Sequence, residues 1–391
     1  MAAANDEIWL LDPEIIQLNH GSFGAAPRPV LEEQDRWRRR FESNPTRFVI
    51  DELEPAIDGA RGRLAALVTA DPADLVFVSN ATMGVNTVVR SLPLAPGDQL
   101  LTTNHAYNAC RNVLNYAAAR TGANVVVAPI PFPLHSAAHA VQPLLAVVTD
   151  RTRFALIDHV TSPTGLVLPI EEIVPPLEQL GINVMIDGAH GPGMVPIDLT
   201  ALGCSYYTGN CHKWLCSPKG SGFLWARPDL VDRLVPPVIS HGWNDARLDR
   251  PRFHILFDYM GADDPTAHLA VPAAIDFLNT LHRDGLRGLM DRNKRMALDA
   301  RGMLCDLLSI PPPAPESLIG SMAAVPLPDS VGEPISGMID ELTRTMRIKH
   351  RIEVPIMLWP SWPQRNLRIS AMAYNSTAQY ETLIQALRAE L

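Results

Sequence analysis

The run Thr208-Gly-Asn-Cys-His-Lys-Trp-Leu-Cys-Ser-Pro-Lys-Gly-Ser-Gly-Phe223 decides the reading of this chain. It sets one lysine, Lys213, behind a histidine and ahead of a glycine-containing strand expected over Gly220–Ala226. Upstream, the apolar run Ile182-Asn-Val-Met-Ile186 delivers Asp187 into Asp187-Gly-Ala-His190. These are the two groups that a pyridoxal 5'-phosphate (PLP) site needs. A lysine forms a Schiff base with the cofactor, and a carboxylate keeps the pyridine nitrogen protonated so that the ring accepts electron density. Either half alone is a weak signal; the ordered pair is a strong one.

Outward from this run, apolar strands alternate with helical patterns. Strands are expected at Leu75–Val78, Leu100–Thr103, Asn124–Ala128, Phe154–Val160 and Ile182–Ile186. Helices are expected over Leu53–Val68, from Thr82, over Ala109–Arg120 and over Glu171–Leu180. Continuously apolar strands separated by helices imply an α/β fold with a mainly parallel sheet covered on both faces. Ligands gather at the carboxyl ends of such strands, and Asn80, Tyr107, Ser162 and Asp187 all fall just past strand ends. The pattern changes after Ala226. Residues 236–265 read as loop-rich, and a helical stretch follows over Thr266–Leu308, interrupted near Asp284-Gly285. Strands at Ser321–Leu327, Glu353–Trp359 and Leu367–Ala373, with helices at Ile335–His350 and Thr377–Ala389, predict a small C-terminal α+β domain. The expected organisation is an N-terminal arm (1–20), a large domain (21–282) and a small domain (283–391).

Composition bounds the function. Of 391 residues, 47% are hydrophobic and 19% charged, and the net charge of −9 argues against a nucleic-acid partner. The cluster Arg36, Arg38, Arg39 and Arg40 reads as a solvated helix face. The first residues lack the apolar core of a signal peptide, and no apolar run has the length to span a bilayer. The five cysteines show no framework spacing, so a reducing cytoplasm is the expectation. Cys211, His212 and Cys216 match no zinc spacing, and no metal is expected.

Other residues fit the same chemistry, each beside a plainer role. Asn80-Ala81-Thr82 follows a strand and opens a helix, where backbone N–H groups bind phosphate or the residues simply cap the helix. Ser162, before Pro163, is equally a turn residue. Arg368 offers a planar fork for a substrate carboxylate or a strand-edge ion pair. Cys305 lies in an apolar helix and reads as a buried thiol.

From Leu18-Asn-His-Gly-Ser-Phe-Gly24 to Leu367-Arg-Ile-Ser-Ala-Met-Ala-Tyr-Asn375, the chain resembles fold-type I PLP enzymes of the class V aminotransferase superfamily, closest to the isopenicillin-N epimerase-like group. The resemblance implies Lys213 as the Schiff-base lysine and Asp187 as partner of the ring nitrogen. It places His190 at the cofactor's phenolic oxygen together with Ser162, and Tyr107 stacked on the ring. It makes Asn80, Ala81, Thr82, Asn210 and His212 phosphate ligands. Arg368 becomes the carboxylate clamp, with His20, Asn19 and Arg47 lining the substrate mouth and His20 a candidate acid or base. Three departures stand out: Ala106 replaces the glutamate of Glu-Tyr, Asn210 a serine, and Ala262 a threonine that reaches the neighbouring subunit's phosphate. The resemblance further implies a homodimer with sites at its interface. It implies a small-molecule substrate, an amino acid, bulky and cysteine-derived, in antibiotic-type biosynthesis, with epimerisation, C–S cleavage or decarboxylation-coupled oxidative deamination as the expected outcome. Desulfurase chemistry is disfavoured because no cysteine sits on a late loop. The alternative is an ordinary primary-metabolic aminotransferase or lyase.

Overall fold

The computed structural model describes residues 8–331 and 340–391. Twelve strands are present among them: β1 (Ile16–Gln17), β2 (Leu75–Val78), β3 (Gln99–Thr103), β4 (Asn124–Ala128), β5 (Thr152–Asp158), β6 (Asn183–Gly188), β7 (Tyr206–Asn210), β8 (Gly222–Ala226), β9 (Met322–Leu327), β10 (Ile352–Glu353), β11 (Ile356–Leu358) and β12 (Arg365–Ser370). Seven form the central sheet, in the order β2-β8-β7-β6-β5-β3-β4. From β7 to β4 neighbouring strands are parallel, whereas β8 is antiparallel to both β7 and β2. The mainly parallel α/β architecture therefore stands as expected.

Alternate residues along these strands face opposite cores. Leu101, Ala155, Ile157, Val184 and Ile186 pack into one cluster. Leu100, Phe154, Leu156 and Met185 pack into the other. Burial on both faces is why the strands read as unbroken apolar runs. Because β8 runs against both its neighbours, β2 and β7 point the same way. The chain segments leaving β2, β5, β6 and β7 thus emerge at one edge of the sheet, and the site lies there.

The small C-terminal sheet, ordered β11-β12-β9, is antiparallel, with β12 in its centre. It packs against the long helix Gly285–Leu308. The N-terminal segment is tied to this part of the chain, because β1 pairs with β10 and Leu18 accepts a hydrogen bond from the Ser370 N–H.

Several boundaries differ from the sequence expectations. β7 falls on residues that the sequence does not mark as a strand. It is a five-residue element that ends in Gly209-Asn210, where β propensity is low. The strand expected over Glu353–Trp359 is two short ones, interrupted at Val354-Pro355, since proline has no N–H for a ladder. The strand expected to begin at Leu367 begins at Arg365 and ends at Ser370. The loop-rich stretch contains a helix at Arg252–Phe257. The long helical stretch is three helices, Thr266–Leu269, Val271–Thr280 and Gly285–Leu308, with a break at the expected place. Of the helix expected from Ile335, Glu341–Lys349 is helical and residues 335–339 lie outside the described residues.

Candidate active site

A cavity of about 360 Å³ opens at the carboxyl edge of the sheet, a size suited to a small ligand. Lys213, Asp187, His190, Tyr107, Ser162, Asn210, His212 and the Asn80–Thr82 turn all line it, as do Asp158, Lys219, Ser22 and Phe23. Lys213 follows β7 by three residues. Its loop is held by Cys211 and His212 N–H groups donating to the Ser221 carbonyl, and by the N-terminal segment. That segment requires glycine at position 24. Its φ is +70°, and a Cβ there would stand 2.1 Å from the His212 carbonyl oxygen and 2.9 Å from the Lys213 Cα.

Lys213 Nζ lies 3.1 Å from His190 Nε2. Burial, and then the Arg368 charge, lower the Lys213 ammonium pKa to about 8, against the opposing pull of Asp187, Cys110 and Asp158. At neutral pH an appreciable fraction of the lysine is therefore the free amine, the form that attacks an aldehyde. Burial holds His190 neutral, reinforced by the charges of Lys213 and Arg368.

Asp187 ends β6 and is 4% exposed. One carboxylate oxygen accepts the Ala189 N–H at 3.0 Å and the other the Cys110 thiol at 3.1 Å. Across the parallel pair its register partner is Asp158, also buried. Burial raises both carboxyls, Asp158 strongly, with the Asp187 charge second among its causes. Burial and their mutual repulsion favour the neutral forms of these two carboxyls, and a cationic ring nitrogen would restore the charged form of the one it meets.

At the opposite end, the helix Ala81–Ser91 presents its N-terminus. Asn80 caps it, its Oδ1 accepting the Met83 N–H at 3.0 Å. Asn210 Oδ1 accepts the Ala81 N–H at 2.8 Å. The Thr82 N–H and hydroxyl have no protein partner among the described residues, and the helix dipole there is positive. His212 Nδ1 bonds the Ser221 carbonyl, which leaves Nε2 for a ligand. The helix reaches this position because Gly84 packs on β7, where a Cβ would meet Thr208 Oγ1 at 2.2 Å. A lysine amine, a buried carboxylate and an unsatisfied anion-binding helix terminus around one cavity fit the aldehyde, ring nitrogen and phosphate of PLP.

Arg368, central in β12, is 1% exposed. Its guanidinium donates to the Ser162 carbonyl, to Ser22 Oγ at 3.1 Å and to Asn19 Oδ1 at 3.3 Å. No carboxylate pairs with it among the described residues, its Nε is unpartnered, and burial lowers its pKa to about 10. Its partners Ser162 and Ser22 line the cavity, and this unneutralised cation stands directly behind them.

The remaining candidates sit differently. His20 is buried behind the lysine loop and does not line the cavity. Its Nδ1 meets the Tyr374 hydroxyl and its Nε2 the Lys213 carbonyl, both at 3.0 Å, and burial lowers its pKa to about 3. With both nitrogens engaged it acts as a pin, and no nitrogen is free for acid–base work. Arg47 is exposed, 3.4 Å from Glu52, and is not brought to the cavity. Tyr107 is 46% exposed at the cavity, which excludes core packing for it. Ala262 lines an adjoining cavity of about 540 Å³ that shares Ser79, Lys219 and Gly220 with the first. All five cysteines are unpaired and buried, and none lines the Lys213 cavity. Among the described residues one cluster has metal-ligand spacing, Asp58, His254 and Asp258, and its carboxylates are taken by Arg61 and Arg250.

The sequence reading does not single out, among others, Asp158, which lines the cavity, or Cys110 and Trp214, which stand behind Asp187 and His190. Each carried a signal. Asp158 closes an apolar strand as Asp187 does, Cys110 stands one helical turn after Tyr107, and Trp214 adjoins the lysine.

Residues 24–282 match the family model Aminotransferase class-V. The chain belongs to the class V aminotransferase family. It is a PLP-dependent enzyme of that family. It is 34% identical to an isopenicillin N epimerase of Amycolatopsis lactamdurans, over 97% of this chain and 96% of that one. It is 31% identical to a putative L-cysteine desulfhydrase of Oryza sativa subsp. japonica, over 95% of this chain and 82% of that one. Its fold is shared with the apo structure of a cysteine desulfurase from Thermococcus onnurineus NA1, at a TM-score of 0.80 and 18% identity, covering 99% of this chain and 97% of that one.

Proposed function

We propose that this enzyme acts at Cα and Cβ of a cysteine-derived amino acid and cleaves its Cβ–S bond. The observation that carries the proposal is Arg368, a buried cation with no carboxylate partner among the described residues, held directly behind Ser22 and Ser162, which line the cavity that contains Lys213. Such a charge is costly to bury unless a ligand supplies its counter-ion, and an amino-acid carboxylate fits its fork. Bound PLP supplies the sink for the electron pair left at Cα. Around it, Lys213 holds the cofactor, then takes the Cα proton on its free amine. Asp187 keeps the ring nitrogen protonated. Thr82, Ala81, Asn80, Asn210 and His212 would hold the cofactor's phosphate end, and Tyr107, Ser162 and His190, which line the same cavity, would contact its ring. Loss of the thiol from Cβ followed by hydrolysis yields a free thiol, pyruvate and ammonium, with one water consumed. A carboxylate gripped by Arg368 is retained, which argues against decarboxylation.

Epimerisation is the second reading, supported by the similarity to isopenicillin N epimerase over nearly the whole chain. The adjoining cavity supports a substrate larger than cysteine, and with it a role in natural-product biosynthesis of the antibiotic type. The resemblance to plant desulfhydrases supports the primary-metabolic alternative. We further propose a cytoplasmic homodimer. Phe23, Trp243 and Leu248 are exposed, at 76%, 51% and 99%, apolar side chains that a partner subunit would cover. The unpaired thiols suit a reducing compartment.

Incubation in D2O with L-cysteine and with bulky cysteine S-conjugates, followed by mass spectrometry, tests the reading. Pyruvate and thiol are expected. Deuterium at Cα of intact, inverted amino acid would establish epimerisation instead, and neither outcome with any cysteine derivative would overturn both readings.

A further inference from the structure

His190 is gripped at both ring nitrogens. The Trp214 indole N–H donates to Nδ1 at 3.3 Å, and Nε2 faces Lys213 Nζ at 3.1 Å. Trp214 is 1% exposed and packed on the His20 ring, with centroids 4.9 Å apart, so the indole has no freedom to turn away. A neutral imidazole carries one proton, and the nitrogen that accepts cannot also hold it. Nδ1 accepts from an indole that can only donate. Once Lys213 Nζ has a lone pair to offer, the proton therefore sits on Nε2, aimed at the lysine nitrogen.

We propose that Trp214 is a positioning residue that fixes the Nε2–H tautomer of His190, so that the imidazole donates to a lone pair at Lys213 Nζ. The neutral form of the lysine nitrogen is then the one hydrogen-bonded, and its proton affinity falls. This is second-hand control: Trp214 does not reach the cavity, and its effect passes through His190 alone. The other groups around the pair are Arg368 from β12, Asp187 from β6, Asp158 from β5, Cys110 from the helix Asn108–Thr121, and His20 and His212. A Trp214→Phe substitution changes the charge of none of them.

The inference rests on Lys213 being the lysine that holds PLP. Borohydride reduction and peptide mapping test that separately, because label on another lysine removes the premise, whereas label on Lys213 leaves the tautomer to be judged by itself. The first measurement uses the unmodified holoenzyme. Its histidine side chains are 15N-labelled, and His190 is assigned by its absence in His190→Asn. Two-bond correlations should show Nδ1 unprotonated and Nε2 protonated, and the Nδ1–H tautomer or an imidazolium at neutral pH would overturn the proposal. The second is a spectrophotometric pH titration of the lysine-bound cofactor. Trp214→Phe should move its midpoint to higher pH by about one unit, the size of one hydrogen bond. In a His190→Asn background the same change should move it no further. A midpoint unchanged by Trp214→Phe, or shifted equally in both backgrounds, would show that Trp214 is packing only. If Trp214→Phe does not fold, the tautomer measured in the unmodified enzyme decides.

Discussion

Replacing Arg368 with methionine separates a residue kept for a ligand from one kept for the fold. The guanidinium is fully buried, and its hydrogen bonds go to neutral oxygens of Ser162, Ser22 and Asn19. Desolvating an ion costs several kcal/mol, and these neutral contacts offset only part of it, which is why its pKa falls to about 10. Methionine removes the charge while keeping most of the side-chain volume. The substrate-free protein should therefore melt at the same temperature or higher. Activity should respond in the opposite direction. A charge-assisted hydrogen bond contributes about 1.5–3 kcal/mol, so kcat/KM should fall roughly 10- to 150-fold, mainly through KM. Arg368→Lys should recover part of that, since an ammonium keeps the charge but lacks the planar fork. Differential scanning fluorimetry and steady-state kinetics on the holoenzyme check both arms. A non-reacting amino-acid carboxylate should raise the melting temperature of the unmodified enzyme and leave that of Arg368→Met unmoved. A melting temperature several degrees lower with unchanged KM would refute the reasoning and return Arg368 to a structural role.

Four further outcomes follow from the same site. Borohydride should fix the cofactor onto Lys213 and onto none of Lys219, Lys294 and Lys349; peptide mapping reads this directly. Asp187→Ala should keep its fold, seen by circular dichroism, and lose on the order of 2.7–4 kcal/mol of transition-state stabilisation, roughly 100- to 1,000-fold in kcat, and near-normal turnover would remove Asp187 from the mechanism. Thr82→Ala removes a hydroxyl donor at the helix N-terminus and should weaken PLP affinity by about one neutral hydrogen bond, roughly 2- to 13-fold, as judged by equilibrium dialysis. The Lys213 amine has a pKa lowered to about 8 and captures aldehyde only when neutral; the rate of PLP uptake by cofactor-stripped protein should rise with pH up to about 8 and level off above it, and stopped-flow absorbance showing a flat or falling profile would contradict this.

The parts of the fold legible in the sequence are those where one physical cause dominated. Leu75–Val78 is legible to the residue because it is buried on both faces and leaves an unbroken apolar run between Asp74 and Ser79, and Asn124–Ala128 because a β-branched Val-Val-Val run stops at Pro129. β7 is not, although it carries the lysine loop, because Gly209 and Asn210 are chosen for what lies beside them. Gly209 avoids Phe223 and Pro192, and Asn210 supplies the acceptor for the Ala81 N–H. The same competition hides His20. Its type suggests acid–base work, and only the fold reveals that Tyr374, a residue near the other end of the chain, occupies one of its nitrogens. Arg47 and Arg368 look alike in sequence. Burial in a central strand separates them, and burial of a long polar side chain depends on contacts that sequence spacing does not carry. Asp158 could have been found by the rule that located Asp187, a carboxylate ending an apolar strand at the ligand-binding edge.

The electrostatics of the cavity converge on one conclusion. Each of its buried groups is held away from its ordinary ionisation: Lys213 and Arg368 are lowered, Asp158 and Asp187 are raised, and His190 is kept neutral. Burial is the first cause of every one of these shifts, and at Arg368 and the carboxyl pair it leaves a group whose complement the chain does not provide. The helix Ala81–Ser91 lacks an anion, Arg368 lacks a carboxylate, and the Asp187–Asp158 pair lacks a cation. A molecule carrying phosphate at one end and a protonated ring nitrogen at the other answers the first and third, and an amino-acid carboxylate answers the second. Binding of both should return Arg368 and Asp187 toward their ordinary charged states. The free energy stored in their desolvation then reappears as affinity, so cofactor and substrate should each raise thermal stability, and the two increments should be larger together than their separate sum if Asp187 and Arg368 act through the shared Lys213 charge.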